Sequence, residues 1–267
     1  MDLNFILQGL SPLLATLILI AIFAPVERLF PAITKRSAIK GRLLAIFIVG
    51  VVSALTMFAF LIYGQTDYIN LLLSYQLVDV SKANVPDWFL FAGTFLFMDF
   101  VGYAIHYISH KFMPLWRIHS VHHSDEHVTA ASSLLQHPLS ALLNGCVHLF
   151  FAVLLGLPLL VFLIYGFATV LQSVFSHADI RLPQSVDRVL RWVIVTPDLH
   201  RTHHSIDMKE GNSNFGAIFT FWDRMFGTYI EHPNAGVPDL IMGLPSSESP
   251  KRFTAQALFA HPFRRRD

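Results

Sequence analysis

Between Leu139 and Ser176 the chain carries no Asp, Glu, Lys or Arg, and no other feature narrows its folding options so far. A stretch this apolar has to be buried, in protein or in lipid. Gly156-Leu157-Pro158 interrupts it near the middle, and proline cannot continue a helix without losing a backbone hydrogen bond. We therefore read two short helices folded as a hairpin, roughly 139–155 and 159–176, in place of one long buried helix. Three further stretches resemble it: Leu10–Val26, Leu43–Tyr63, and Trp88–Ile105, the last broken only by Asp99. At 1.5 Å per helical residue each can cross, or nearly cross, a hydrocarbon layer of about 30 Å.

Composition agrees. Of 267 residues, 54% are hydrophobic and 14% charged, where a soluble domain carries about a quarter charged. The expected fold is all-α: a polytopic membrane helix bundle of four to five spans or half-spans, forming a single domain over residues 1–267. Residues 106–138 and 177–267 are expected to make a cap on it. The start lacks a basic n-region and a cleavage site, so the first apolar stretch reads as a retained span. A net charge of +1 gives no basic field for nucleic acid. Cys146, the one cysteine, cannot form an internal disulfide.

Loop charges set an expected orientation. The first loop holds Arg28, Lys35, Arg36, Lys40 and Arg42, whereas the next has Lys82 against Asp67, Asp79 and Asp87. The positive-inside rule puts the first loop in the cytoplasm. Threading onward brings the exit of the third span near Tyr107, the end of the hairpin at His177, and the Arg264-Arg265-Arg266 tail to that same face.

The histidines share this face. All fourteen lie at or after His106. Eight form three groups: His106-xxx-His110, His119-xx-His122-His123 and His200-xx-His203-His204. His177 and His137 stand alone. Residues three or four apart share a helix face, so His106 and His110 can address one point. Adjacent rings diverge by about 100°. An HxxHH pair therefore suits two neighbouring ions, one ring each, with the first histidine joining one of them. Eight or more imidazoles exceed the three or four protein ligands of a usual zinc site, and imidazole alone does not name the metal. His127, His148, His232 and His261 read as structural. Asp99, in the third span, and Asp125 and Asp198, flanking the HxxHH groups, are candidates to orient the ligands from behind.

In these residues the sequence resembles the fatty acid hydroxylase/sterol desaturase superfamily. The likeness runs from Asp99…Tyr103…His106-xxx-His110 through Pro114-Leu115-Trp116-Arg117-Ile118-His119-xx-His122-His123-Ser124. It continues in His177, in Thr196-Pro197-Asp198-Leu199-His200-xx-His203-His204-Ser205, and in Asn214-Phe215-Gly216…Trp222-Asp223-Arg224-Met225-Phe226-Gly227-Thr228-Tyr229. The order and spacing of the boxes carry it. The resemblance implies a helical membrane anchor with a cytoplasmic dimetal cap, two iron ions (or zinc as purified) and dioxygen as co-substrate. It implies a membrane lipid substrate that is hydroxylated or desaturated, and electrons from a separate reductase, ferredoxin or cytochrome. Carried across, the eight box histidines, His177 and, through a His-Pro element, His137 would be metal ligands. The closing Asn-Phe-Gly to Gly-Thr-Tyr segment would pack the cap. Some members have a second histidine near the isolated one; here Ser173 stands four residues before His177.

No Cys-x-x-Cys-His or Gly-x-Gly-x-x-Gly motif is present to carry haem or a dinucleotide, in keeping with an external electron source. Two other classes remain to be weighed. A membrane zinc hydrolase would need a His-Glu-x-x-His box or a general-base acid beside the ligands, and the box is absent. A metal transporter or haem conduit would need polar residues threading the spans or isolated histidines on facing spans. The first two spans have no charge, and the histidines cluster at one end.

Overall fold

The computed structural model describes residues 3–33, 41–250 and 252–264. Lys35, Arg36, Lys40, Arg265 and Arg266, which entered the orientation argument, lie outside the described residues. The chain folds as α1 (Leu3–Leu29), α2 (Arg42–Ala59), α3 (Gln65–Leu73), α4 (Asp87–Lys111), α5 (Met113–His123), α6 (Pro138–Leu154) and α7 (Leu159–His177). Shorter helices follow: α8 (Gln184–Leu190), α9 (Pro197–His203), α10 (Met208–Gly211), α11 (Phe221–Phe226) and α12 (Ala255–Ala260). No strand forms among the described residues, where two isolated backbone bridges are the only extended pairings. The fold is an all-α polytopic bundle, as the apolar runs require.

Four helical segments are long and apolar enough to cross a membrane: Ser11–Leu29, Arg42–Tyr63, Asp87–Lys111 and Leu159–His177; α6 is a shorter apolar helix beside them. Their outward faces carry bare hydrophobic side chains, among them Ile18, Leu44, Phe89 and Leu163. Water would penalise such a surface at about 25 cal/mol for each Å², whereas lipid does not. The protein is an integral membrane protein.

The hairpin turns where the sequence placed it. Gly156 adopts φ +57°, and a Cβ there would come within 2.7 Å of the Asp79 backbone. That approach lets residues 77–81 cross the turn, Leu77 and Val80 donating to the carbonyls of Leu154 and Leu155. Inside the bundle, Ala45, Ile46 and Val49 of α2 pack on Val121, Leu135 and Leu258. Leu19 and Phe23 of α1 pack against Val174 and Ala178 at the end of α7.

Three features differ from the sequence reading. The second helical run does not stop at Tyr63 but passes through a π-helical turn at Phe60–Gly64 into α3, ending at Leu73. Leu71, Leu72 and Leu73 let it continue, although Asp67 had marked the region as loop. The third run continues as one helix through His106 and His110 to Lys111, so the first histidine box is the last turns of a spanning helix. Finally, residues 215–226 do not lie above the bundle. They run beside α4 at the level of its middle, with Phe219 against Phe95 and Phe226 stacked on Tyr103 at 5.4 Å between ring centres.

Candidate metal centre

Nine histidines converge in two adjoining groups. His106, His110, His119, His123 and His203 form the first, and His122, His177, His200 and His204 the second; within each, one ring nitrogen per residue lies within 4.8 Å of all the others. The helices deliver them by register. On α4, His106 and His110 sit one turn apart and face the first group. On α5, His119 and His123 are likewise one turn apart and join them, while His122, rotated by about 100° from its neighbour, faces the second group. The third box repeats the pattern in reverse: His200 and His204 enter the second group and His203 the first. His177, the last residue of α7, completes the second group. Each HxxHH segment thus serves both groups, through its adjacent pair.

The rings are held from behind by backbone carbonyls. His106 Nδ1 donates to Phe215 O at 2.9 Å, His122 Nδ1 to Leu135 O at 3.1 Å, His177 Nδ1 to Ser173 O at 2.7 Å and His203 Nδ1 to Ser213 O at 2.7 Å. A carbonyl can only accept, so the proton sits on Nδ1 and each neutral ring presents its Nε2 lone pair inward. Two of these lone pairs, on His122 and His177, face one another at 3.0 Å. The Nε2 atoms of His106 and His203 are buried with no hydrogen-bond partner. Converging lone pairs repel unless a cation lies among them, so the donor set fits a metal.

The spacing is informative as well. Neighbouring Nε2 atoms are 3.0 to 3.2 Å apart for His110–His123, His119–His123, His122–His177, His177–His200 and His200–His204. At a metal–nitrogen length of about 2.1 Å, ligands at right angles are about 3.0 Å apart and tetrahedral ones about 3.4 Å. Separations of this size are those of donors that can share one ion.

Burial keeps the rings neutral. His119, His122, His123, His200, His203 and His204 are all held well below the usual histidine value, first by loss of water and then by the neighbouring imidazoles. A neutral ring is the form that binds metal.

The remaining sequence candidates lie elsewhere. His137 belongs to neither group; it caps α6, its Nδ1 accepting from the Leu139 N–H at 3.2 Å and its Nε2 lying 3.4 Å from Phe259 O. His127, His148, His232 and His261 are also outside both groups. None of the three carboxylates bonds to a grouped histidine among the described residues. Asp99, fully buried, accepts from the N–H groups of Ile218 and Phe219 and from Trp222 Nε1 at 3.0, 3.3 and 2.9 Å. It pins to α4 the segment whose Phe215 carbonyl holds His106. Asp125 takes a two-pronged bond from Arg42, Nε–Oδ1 2.7 Å and Nη2–Oδ2 2.5 Å, with Ser132 at 2.6 Å. Burial opposes its charge, but the Arg42 guanidinium, the Ser132 hydroxyl and the His127 N–H together outweigh that and hold its carboxyl below the ordinary range. Asp198 pairs with Arg201 at 2.5 Å, whose guanidinium also donates to Ala178 O and Ile180 O, locking α9 to the end of α7.

Asp223 was not singled out from sequence. It accepts from the N–H groups of Phe215 and Gly216 and from the Thr228 hydroxyl, and its carboxyl is pushed up to about 6 by burial. With Asn214, in the left-handed region at φ 51° and bonded to Leu199 O and Ile230 O, it shapes the loop that offers the carbonyls of Ser213 and Phe215. The signal available was the Asn-Phe-Gly…Trp-Asp run itself.

A cavity of about 420 Å³ opens against the centre between α4, α6 and α7. Rings of both groups reach its wall: His106 and His119 of the first, His122, His177 and His200 of the second. Ile105, Ala141 and Phe162 supply apolar wall, and Asn144, Thr169 and Ser173 polar points.

The sequence profile described as fatty acid hydroxylase matches residues 91–228, which contain every grouped histidine. An ornithine lipid hydroxylase, OlsE, of Rhizobium tropici is 32% identical over 168 residues, 63% of this chain and 48% of that protein. Alkylglycerol monooxygenase of Xenopus tropicalis is 27% identical over 183 residues, 68% of this chain and 39% of that protein. Methylsterol monooxygenase 2-2 of Arabidopsis thaliana is 28% identical over 152 residues, 55% of this chain and 56% of that protein. The matched stretch spans between 39% and 56% of these relatives' lengths. No solved structure matches the chain. With the three boxes, the isolated histidine and the loop that braces them all inside the matched segment, the chain belongs to the fatty acid hydroxylase family.

Proposed function

We propose that the protein is a membrane lipid hydroxylase that inserts one oxygen atom from dioxygen into an unactivated C–H bond, with two iron ions as its cofactor. The observation that carries this reading is the pair of imidazole groups, rich in inward lone pairs, beside a cavity among membrane helices. The relatives named for ornithine lipid, alkylglycerol and methylsterol act on lipids as hydroxylases or monooxygenases, which favours hydroxylation over desaturation here.

His106, His110, His119, His123 and His203 would hold one ion, and His122, His177, His200 and His204 the other. Neither set includes a carboxylate, which argues against a hydrolase relying on an acid at the metal. Bound iron supplies the redox power that acid–base chemistry lacks against an aliphatic C–H bond. The chain's own residues orient and exclude. The carbonyls of Leu135, Ser173, Ser213 and Phe215 fix ring direction and tautomer. The apolar cavity wall seats the lipid so that the carbon to be oxidised faces the rings, entering sideways from the bilayer. Electrons come from a separate reductase, ferredoxin or cytochrome. The first-loop charges orient the histidine boxes towards the cytoplasm, where such donors reside.

Lipid mass spectrometry of cells with and without the gene, alongside metal analysis of the purified protein, tests the reading. The expected result is two irons per chain and a lipid heavier by one oxygen. A product lighter by two hydrogens would make it a desaturase. Zinc alone, with no oxidised lipid when reductant is supplied, would overturn the proposal.

A further inference from the structure

The surface made by α8, the turn after it and α11 is amphipathic in the reverse of the sense expected for a helix capping a domain in water. Within it, Asp187 and Arg191 are buried and paired with each other, Arg188 between them is exposed, and Arg191 donates onward to Glu231 O at 2.8 Å. Its large apolar side chains point outward: Val189 is 68% exposed, Trp192 66% and Met225 65%, with Val186, Val193 and Phe226 beside them. A face in water would have these reversed.

The two helices form one surface. Thr220 and Arg224 both donate to Arg191 O, at 2.9 and 3.0 Å, and the Arg224 guanidinium lies 4.3 Å from the centre of the Trp192 ring. This surface continues into a membrane helix. Trp222 and Phe226 pack on Phe100 of α4 at 5.1 and 6.0 Å between ring centres, and Phe226 stacks on Tyr103. Tyr103 in turn stacks on Tyr107, whose ring lies beneath the Lys111 ammonium. Apolar residues thus cover the middle, while two aromatic rings paired with cations, Trp192 with Arg224 and Tyr107 with Lys111, stand at the edges. Amphipathic rings and long cationic side chains are the groups that settle at a headgroup boundary.

We propose that the face made by Val186, Val189, Trp192, Val193, Met225 and Phe226 lies in the acyl–headgroup boundary of the same bilayer that α4 crosses. Lipid is the occupant favoured by continuity: the face runs without a break into the lipid-facing side of a spanning helix. It also accounts for the packing of residues 215–226, which Asp99 holds against the side of α4. The histidine groups, between the level of Phe100 and that of Lys111, then sit among the headgroups and not above them. This gives the protein a monotopic anchor in addition to its spans.

The test places a bimane label at Val193→Cys or Met225→Cys in a Cys146→Ala background of the full chain, in nanodiscs. Leu163→Cys on the bare face of α7 serves as the lipid reference and Lys209→Cys on α10 as the water reference. Lipids brominated near the carbonyl end of the acyl chain should quench the labels at 193 and 225 as they do the one at 163. Quenching by iodide should be lost relative to position 209. Iodide quenching equal to that at 209 would put the face in water and overturn the proposal. Protection from both quenchers would also overturn it, since another polypeptide, such as a second copy of the chain, would then cover the face. Two positions on separate stretches guard against a local effect of one label, and none of the outcomes depends on what reaction the metal centre performs.

Discussion

The two histidine groups use the same devices in unequal measure. The first takes a one-turn pair from a spanning helix, His106 with His110, another from α5, and a single ring from the third box. The second takes its one-turn pair from the third box, His200 with His204, and a single ring from α5, but only His177 from its spanning helix. Four residues before His177 stands Ser173, at the place that His106 holds before His110. Five nitrogens therefore converge on one side and four on the other, and three of those four, against two of the five, line the cavity. The difference teaches that the two groups are not equivalent: they differ in the number of rings they hold, and more of the second group's rings than of the first's face the cavity.

The sharpest way to break that comparison is to remove one ligand from each group. His123→Ala and His204→Ala should each lose one ion of two and abolish lipid oxidation; loss of both ions in either variant, by metal analysis, would show that the groups are not separate positions.

Acid should act next most strongly. The rings outside the spans have folded-state values well below the ordinary value of about 6.5, so above 6.5 folded and unfolded chains are both neutral there and stability is full. As pH falls below 6.5 the unfolded chain takes up protons that the folded one refuses. Stability then drops by about 1.4 kcal/mol per pH unit for each such ring, until the folded rings titrate in turn. The unfolding midpoint of metal-free protein in detergent should fall between pH 7.5 and 5.5 (about one unit either side of that value). A midpoint that rises on acidification would contradict the burial of neutral rings.

The two acids beside the HxxHH boxes separate next. Asp125→Ala leaves the buried Arg42 with the His127 carbonyl and two hydroxyls but without its two-pronged carboxylate, and should cost about 3–5 kcal/mol, read by denaturant titration. Asp198 is partly exposed, and its partner Arg201 keeps two carbonyls, so Asp198→Ala should cost about 1 kcal/mol. Equal losses would refute the distinction. Ser173→His should remove the asymmetry of the centre. By adding a fifth nitrogen to the second group it should even out the two groups, slow release of the second ion to a chelator on the order of tenfold, or about 1.4 kcal/mol, and lower turnover by filling part of the cavity. Unchanged release would mean that the position does not face the ion. The smallest effect is expected at His137. His137→Ala removes a helix cap worth about 1 kcal/mol and should leave metal content as it was.

Much of this could be read from residues alone, and the parts that could not share a cause. Absence of charge over long runs marks membrane helices because lipid offers one solution, and the Gly156–Pro158 break marked the hairpin for the same reason. Helical periodicity separated His122 from His123 and His203 from His204, since rotation per residue is a local property. Long-range partnership was not legible. Asp99 lies two turns from His106 on α4, yet its oxygens go to Trp222 and two backbone groups more than a hundred residues away. Arg42 reads as a loop charge but is buried against Asp125. His137 has the residue type of a ligand, and only its position before Pro138 hints at a cap. The packing of residues 215–226 along α4 had no local signature, because the stretch is short and its apolar residues, broken by Thr220, Asp223 and Arg224, could equally have packed within a cap.

The spread of the ligands along the chain has a consequence for biosynthesis. Four of the five members of the first group fall between His106 and His123, in two consecutive helices joined by a tight connection, whereas the second group cannot close until His204 has been made. Short loops close at lower entropic cost than long ones, so the first position should acquire its ion on a nascent chain while the second is still unmade. Chains truncated after Leu135 and inserted into nanodiscs should retain one ion or a weakly held one, and never two.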